Sequence, residues 1–117
     1  MTMLKNRDHE DRPWGSFDRL THGEETTVKF LDLLPEKRFS DQRHAHRSEY
    51  WVVLKGAGTA TVDGIEREVG VGDEVEIPTG AWHRLKGGPE GLRVLEIAFG
   101  AFDEKDIERR DDDFGRE

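Results

Sequence analysis

Residues able to hold a metal ion are concentrated in one short segment near the middle of the chain. Gln42, His44, His46 and Glu49 offer an amide oxygen, two imidazoles and a carboxylate within eight residues. Imidazole nitrogen and carboxylate oxygen are common ligands of divalent transition-metal ions. If the segment is a strand, Gln42, His44 and His46 share a face, and at least two of them can reach one ion. His83 supplies a further imidazole later in the chain, and together these residues predict a site for one divalent ion.

The glycines and prolines around these residues are regularly spaced. The order is Gln42-x-His44, four residues, Glu49, six residues, Gly56, and later Gly72, five residues, Pro78-x-Gly80, two residues, His83. This spacing resembles the two motifs of the cupin superfamily, the first of which usually begins His-x-His, so that Gln42 stands in the first histidine position. The resemblance implies an all-β, single-domain fold, a double-sheet jelly-roll β-barrel. It also implies one divalent metal ion with a set of four ligands: Gln42, His44, Glu49 and His83. His46 falls outside that set.

Four segments carry a finer resemblance, to the type II phosphomannose isomerases (mannose-6-phosphate isomerases). They are residues 12–15, 40–51 and 77–85, and the C-terminal pair 106–109 and 113–116. The resemblance implies a metal-dependent sugar-phosphate isomerase that interconverts mannose 6-phosphate and fructose 6-phosphate through an enediol or enediolate. Bifunctional members of this family carry a large nucleotidyltransferase domain before the cupin. A chain of 117 residues leaves no room for it, so guanylyltransferase activity is not implied.

Two other functions fit the same residues. A non-catalytic cupin that binds or senses a sugar would use the same barrel and the same cationic side chains. A cupin enzyme of another class, such as a dioxygenase, favours two histidines and a carboxylate, or three histidines, around iron. Gln42 in a ligand position argues against the dioxygenase. The mixed nitrogen and oxygen donors suit Zn, Mn, Fe, Co or Ni without selecting among them.

A sugar phosphate as the small-molecule partner requires cationic side chains. Arg is the better bidentate partner of a phosphate, whereas Lys acts as a compact point charge. The arginine candidates in or beside the matched segments are Arg47, Arg109, Arg12 and Arg84. In an acidic chain each of them can equally be a solvated surface group or half of a weak ion pair.

The general base of the isomerase interpretation has three candidates. A base needs a suitable pKa and reach to the transferred proton. His46 is the imidazole left over from the ligand set, and Lys29, if desolvated, or Glu49, if loosely bound, could serve instead. Glu96 interrupts the apolar segment 92–99; it is either a paired buried carboxylate or a residue on the solvent face of that strand, and we favour the solvent face.

Composition favours one small domain. At 117 residues one core is expected, with a flexible tail at residues 1–11 and the cupin domain at 12–117. The chain has no cysteine, which excludes disulfides and thiolate metal sites. Its net charge of −8 argues against nucleic acid as a partner. No segment approaches 18 consecutive apolar residues, so we expect no membrane partner and a cytoplasmic location.

The periodicity predicts many short strands separated by glycine turns, with one helix near the C-terminus. Asp63-Gly64 between two alternating segments is a strong hairpin signal. Residues 103–110 begin with acids and end with two arginines, as the helix dipole favours, and predict the helix. In the strand predicted from residue 26 to 34, Val28 and Phe30 lie opposite Lys29, Leu31 and Leu33. Only 33% of the residues are hydrophobic, and a thin core cannot bury both faces, so we expect a homodimer that covers the outer one.

Overall fold

The computed structural model describes residues 4–116 of the 117-residue chain. Its elements are nine strands: β1 Asp8–Arg12, β2 Gly15–Arg19, β3 Thr26–Leu33, β4 Asp41–Arg43, β5 Arg47–Val62, β6 Ile65–Gly70, β7 Glu74–Ile77, β8 His83–Gly100 and β9 Glu108–Arg110. All strand pairs are antiparallel. The all-β jelly-roll barrel expected from the sequence is therefore confirmed.

The long strands β5 and β8 build both sheets of the barrel. The first half of β5 pairs with the second half of β8, flanked by β3 and β7. The second half of β5 pairs with the first half of β8, flanked by β6 and by β4, which pairs in turn with β9. The register shifts between Gly56 and Gly58, where β5 bends from one sheet into the other. A side chain at Gly56 would collide with the carbonyl oxygen of Gly91, and both residues have φ near +80°, so this close approach requires glycine.

One end of the barrel interior is apolar. Its buried residues are Trp51, Val53, Ala60, Val69, Val75, Ile77, Ala81, Leu85, Leu92 and Val94, and Leu31, Leu33, Phe39 and Val62 pack against them. Successive strand residues point to opposite faces. Lys29, Leu31 and Leu33 of β3 therefore point inward together, whereas Val28 and Phe30 point outward, as the sequence pattern predicts.

A second apolar cluster lies on the outside of the β3–β8–β5–β7 sheet. Tyr50 and Ile97 are buried there under Leu4, and Leu20, Val52 and Phe99 pack around them. The register places Val28 beside Ile97, which is beside Tyr50, and Phe30 beside Leu95, which is beside Val52. Val28 and Phe30 remain 54% and 55% exposed, so the cover over this face is incomplete.

The N-terminal segment differs from the predicted flexible tail over residues 1–11. Residues 8–12 form β1, which pairs with β2 as a separate two-stranded sheet, and Leu4 is buried against the barrel. Residues 1–3 of that predicted tail lie outside the described residues. The tight turn of this hairpin presents Trp14, which is exposed.

The predicted C-terminal helix is wrong. Residues 103–107 form turns and loop, and residues 108–110 form β9, paired with β4. The charge pattern resembles that of a helix, but pairing with β4 and contacts to His44 hold the segment in extended and turn conformations. The predicted hairpin at Asp63-Gly64 is confirmed, with Val62 opposite Ile65 and positive φ at both turn residues.

Within residues 4–116, no helix has the length and apolar character needed to cross a membrane.

Candidate metal centre

Three of the predicted ligands meet in the barrel interior. Glu49 points inward from β5, His83 begins β8, and His44 follows the end of β4. All three are buried, and each offers one ligand atom within 4.8 Å of the others. They form the group of metal-ligating residues that the described part of the chain brings together.

Backbone contacts fix the tautomer of both histidines. Nδ1 of His44 lies 2.7 Å from the carbonyl oxygen of Asp106, and Nδ1 of His83 lies 2.9 Å from that of Ala81. A carbonyl oxygen only accepts, so each Nδ1 carries a proton, and in the neutral imidazole each Nε2 presents the lone pair that a metal ligand needs. Both Nε2 atoms face Glu49, with Nε2–Oε1 distances of 3.5 Å from His44 and 3.0 Å from His83.

This arrangement fits a cation. His83 Nε2 and Glu49 Oε1 are buried and have no hydrogen-bond partner, so with a neutral imidazole two acceptors face each other across 3.0 Å. Two ligand atoms that each lie about 2.1 Å from one ion, at roughly 90–110°, are about 3.0–3.4 Å apart. Leaving buried acceptors unpaired is costly, and a divalent ion would satisfy both of them.

Glu49 is held in the ionised form that a metal ligand needs. Burial alone would raise its pKa, but donation from the imidazoles of His44 and His83 in their protonated form outweighs burial and holds the pKa of Glu49 below its ordinary range. Nε of Arg47 lies 3.3 Å from the other carboxylate oxygen, and a terminal nitrogen of the same guanidinium lies 3.3 Å from His44 Nε2. Arg47 also donates to the carbonyl oxygen of Asp103, so its position beside the group is fixed.

A small cavity of about 170 Å³ adjoins the group and includes the fourth predicted ligand, Gln42. Gln42 pairs with His83 on one side and with Arg109 on the other, and its amide oxygen accepts from the hydroxyl of Ser40 at 3.1 Å. Gln42 and Glu49 both line the cavity. Gln42 therefore borders the cavity beside the group of three ligands formed by His44, Glu49 and His83.

Two of the four arginines predicted to bind phosphate line this cavity, and two do not. Arg47 and Arg109 line it together with Lys29. Nε of Arg109 is buried without a hydrogen-bond partner. Arg84 instead bonds to Asp111 and to the carbonyl oxygen of Phe39.

Arg84 therefore attaches the C-terminal segment to the barrel. Arg12 lies in β1, where it pairs with Glu10 and stacks on Phe17. It belongs to the separate hairpin and not to the cavity wall.

The candidates for a base are also divided. Lys29 and Glu49 line the cavity, whereas His46 is exposed and does not line it. β4 ends at Arg43, so the alternation that would have placed His46 with Gln42 and His44 does not extend to it.

Sequence reasoning missed two residues beside the group. Glu96 is only 4% exposed and lines the cavity, although we expected it to face solvent. Burial and the nearby Glu49 carboxylate raise its pKa. Glu96 alternates in step with Val94 and Ala98, which are also buried. This alternation was the signal that could have predicted its inward position.

The second is Asp106. Its carboxylate accepts from the backbone N–H groups of Ala45 and His46, which hold the pKa of Asp106 below its usual range. Its carbonyl oxygen orients His44. No local pattern signals this role, because it depends on a contact between residues about sixty positions apart.

Comparison with known proteins identifies the family. Residues 2–112 match the family described as mannose-6-phosphate isomerase C-terminal. The chain belongs to this family. It is 36% identical over 107 residues to the mannose-1-phosphate guanylyltransferase ManC of Salmonella typhimurium and to the alginate biosynthesis protein AlgA of Pseudomonas aeruginosa. Each alignment covers 90% of this chain but only 22% of the relative, so the family member described here spans about a fifth of the length of these curated relatives.

Solved structures support the fold. The oxalate decarboxylase of Bacillus subtilis superimposes with a TM-score of 0.67 at 23% identity, covering 74% of this chain and 24% of that one. A cupin 2 conserved barrel domain protein of Rhodopseudomonas palustris gives 0.65 at 22% identity, covering 74% and 58%. At such identities these likenesses show the cupin barrel and nothing of its chemistry.

These comparisons correct the predicted function. We expected conversion of mannose 6-phosphate to fructose 6-phosphate, with a sugar sensor or a dioxygenase as alternatives. The relatives are instead named as mannose-1-phosphate guanylyltransferases, and this chain corresponds to a small part of them. The broader expectation of kinship with enzymes holds, but assignment of the whole chain as an isomerase is wrong.

Proposed function

We propose that this domain holds one divalent cation and uses it to bind a mannose phosphate in the adjoining cavity. The observation that carries the proposal is the pair of buried, unpartnered acceptors, His83 Nε2 and Glu49 Oε1, facing each other at 3.0 Å. His44 and Gln42 would complete the ligand set. The names of the guanylyltransferase relatives support a phosphorylated mannose as the ligand.

The cavity also favours an anion. Arg47 and Arg109 line it with Lys29, and the unpartnered Nε of Arg109 leaves one guanidinium donor available. Charge-assisted hydrogen bonds from Arg are the usual partners of phosphate oxygens. We assign the phosphate to Arg109 with Arg47 beside it. This assignment leaves the sugar between the arginines and the cation.

Each residue has a distinct task in this proposal. The cation, one of Zn, Mn, Fe, Co or Ni, would polarise a sugar oxygen as a Lewis acid. Asp106 and Ala81 hold His44 and His83 in the ligand tautomer through their carbonyl oxygens. Arg47 orients the Glu49 carboxylate.

A matched pair of histidine variants tests the metal centre. We expect purified protein to bind one divalent ion per chain, measured by elemental analysis after dialysis against each metal. His83→Ala should lower the affinity at least about 100-fold, as loss of one first ligand does more than loss of an outer contact, whereas His46→Ala should bind like the wild type. Equal retention of the ion by both variants would contradict the proposal.

Calorimetry of the loaded protein tests the ligand. Mannose 6-phosphate and mannose 1-phosphate should bind more tightly than free mannose, and chelation should weaken the binding of all three. Binding of free mannose as tightly as its phosphates would show that the arginines do not recognise an anion here.

We also propose that the domain is a homodimer. The outer apolar face leaves Val28 and Phe30 uncovered, while the β1–β2 hairpin forms a sheet of its own, and an isolated hairpin is marginally stable in water. A two-fold axis lets the hairpin of each copy pack beside the exposed strip of the other, so that one contact covers both features. A stable interface of this kind should bury more than roughly 1,000 Å².

Light scattering at micromolar concentration tests the dimer. Phe30→Asp should convert it to a monomer, because a charge would enter the covered face, whereas Ile65→Asp at the exposed β5–β6 turn should leave it intact. A wild-type mass of 13.4 kDa, that of one chain, would overturn this proposal.

A further inference from the structure

Glu96 has no task in the metal centre, yet it is buried inside the barrel. It lies in the middle of β8 and pairs with Lys29 of β3 on one side and with Trp51 of β5 on the other. At 4% exposure it is among the most buried charged residues of the described chain. Burying a carboxylate is costly unless each oxygen has a partner, so the partners of both oxygens matter.

Only one oxygen of Glu96 is satisfied. Oε2 accepts from the indole N–H of Trp51 at 3.0 Å. Oε1 is buried without a hydrogen-bond partner. Nζ of Lys29 lies 3.7 Å from it, which supplies charge at a distance too long for a hydrogen bond. Oε1 of Glu96 is therefore an acceptor, fixed in position, that can still accept a hydrogen bond.

That acceptor borders the same cavity as the metal centre. Glu96, Lys29, Glu49 and Gln42 all line it. Glu96 lies outside the group of residues whose ligand atoms come within 4.8 Å of one another. It therefore borders the space beside the candidate metal centre and lies outside its group of ligand residues.

We infer that Glu96, together with Lys29, binds hydroxyl groups of the sugar and sets the specificity of the site for a polyhydroxylated ligand. This inference rests on the proposed function. Oε1 of Glu96 accepts from one hydroxyl, and Nζ of Lys29 donates to its neighbour. An adjacent acceptor and donor match the two hydroxyls of a vicinal diol.

The same pair fixes the direction of the ligand. A phosphate beside the Glu96 carboxylate would place like charges together in a poorly hydrated site. The phosphate is therefore directed to Arg109, and the hydroxyl-bearing carbons to Glu96.

Glu96→Gln replaces the acceptor by a donor with little change in shape. The Trp51 indole requires an oxygen, so the amide oxygen of the variant faces Trp51 and its NH₂ group takes the position of Oε1. We expect affinity for mannose 6-phosphate to fall about 10- to 100-fold, the range that one hydrogen bond to a charged group supports. Affinity for inorganic phosphate should not fall, and the bound metal per chain should not change. Glu66→Gln, on the exposed strand β6, is the matched control and should bind like the wild type.

The ligands are titrated by calorimetry into protein loaded with Zn²⁺, after circular dichroism shows that each variant is folded. Mannose 6-phosphate bound by Glu96→Gln within twofold of the wild type would overturn the inference while leaving the proposed function intact. Loss of Zn²⁺ or of inorganic phosphate together with the sugar would also overturn it, because Glu96 would then act on the site as a whole. Failure of the wild type itself to bind mannose 6-phosphate would remove the proposed function.

Lys29→Met provides a second variant that does not depend on the buried carboxylate. Its side chain is 38% exposed, so the substitution is tolerated more easily than one at Glu96. Affinity for mannose 6-phosphate should fall about 10-fold, the loss of one hydrogen bond, with Zn²⁺ content unchanged. An unchanged affinity for the sugar phosphate would contradict the inference that Lys29 and Glu96 bind neighbouring hydroxyl groups together.

Discussion

The two ends of the barrel interior are built from the same strands but have opposite chemistry. Along β5 the inward positions change from Val53 and Trp51 to Glu49, and β8 supplies Val94 and then Glu96. At one end the side chains form a continuous buried apolar cluster. At the other, buried carboxylates and imidazoles include atoms without hydrogen-bond partners. Trp51 joins the two ends, since its ring packs edge-on against His83 and its N–H bonds to Glu96.

The difference separates stability from binding. Apolar burial favours folding in proportion to the area removed from water. Buried charges with unsatisfied atoms oppose folding until a ligand completes their contacts. The apolar end should therefore determine how stable the domain is, and the polar end what it binds. Truncation at the apolar end should lower the free energy of unfolding and leave the stabilisation by added cation intact. Truncation of a ligand at the polar end should remove that stabilisation.

The largest effect should come from truncation at the apolar end. Leu85 is 1% exposed, so Leu85→Ala removes buried methyl groups and leaves a cavity. We expect the free energy of unfolding to fall by about 2–5 kcal/mol, measured by urea denaturation in the presence of chelator. Ile65→Ala at the exposed turn should change it by less than about 0.5 kcal/mol. Similar losses of unfolding free energy in both variants would show that the apolar end does not determine the stability of the domain.

The next effect should come from added cation. A ligand that binds only the folded state at about 100 times its Kd raises the free energy of unfolding by about 2.7 kcal/mol. The wild type, His46→Ala and Leu85→Ala should all show this increment, because the last lacks only apolar contacts. His83→Ala should not show it. An increment in His83→Ala, or its absence in Leu85→Ala, would show that the two ends are not independent.

How far the fold could be predicted depended on whether the signal was local. The Asp63-Gly64 turn follows from turn chemistry between near neighbours, and it is observed as predicted. The periodicity predicts short strands separated by glycine turns, but Gly56 lies at a bend within the continuous strand β5, because the pairing with β8 that carries the chain through it is a long-range contact. The predicted helix over residues 103–110 failed for the same reason.

The candidate site divides in the same way. The resemblance to the cupin motifs implies Gln42, His44, Glu49 and His83 as ligands; the structure brings the last three together, with Gln42 on the adjoining cavity. His46 was grouped with them by extending a strand beyond its end at Arg43. For Glu96 the solvent face was favoured over a paired buried carboxylate, and the structure shows the buried carboxylate. Its phase relative to Val94 would have predicted an inward position, but its partner Trp51 belongs to a strand forty-five residues earlier.

The smallest effect is a pH dependence that belongs to the polar end alone. The pKa of Glu96 is raised above its ordinary value of 4.5, by burial first and by the charge of Glu49 second, against opposing effects of Trp51, Lys29 and His83. A carboxyl whose pKa is higher in the folded state binds its proton more tightly there. Its contribution to stability is therefore fully present below pH 4.5 and is lost as the pH rises through the folded pKa.

The wild type should thus lose unfolding free energy relative to Glu96→Gln as the pH rises from about 4.5, and the difference should then level off. Urea denaturation in chelator across this range measures it, with Glu66→Gln as the control that should follow the wild type. A difference that stayed constant with pH, or moved in favour of the wild type, would mean that Glu96 is ionised as readily as a surface carboxylate and that the polar end is better hydrated than its burial indicates.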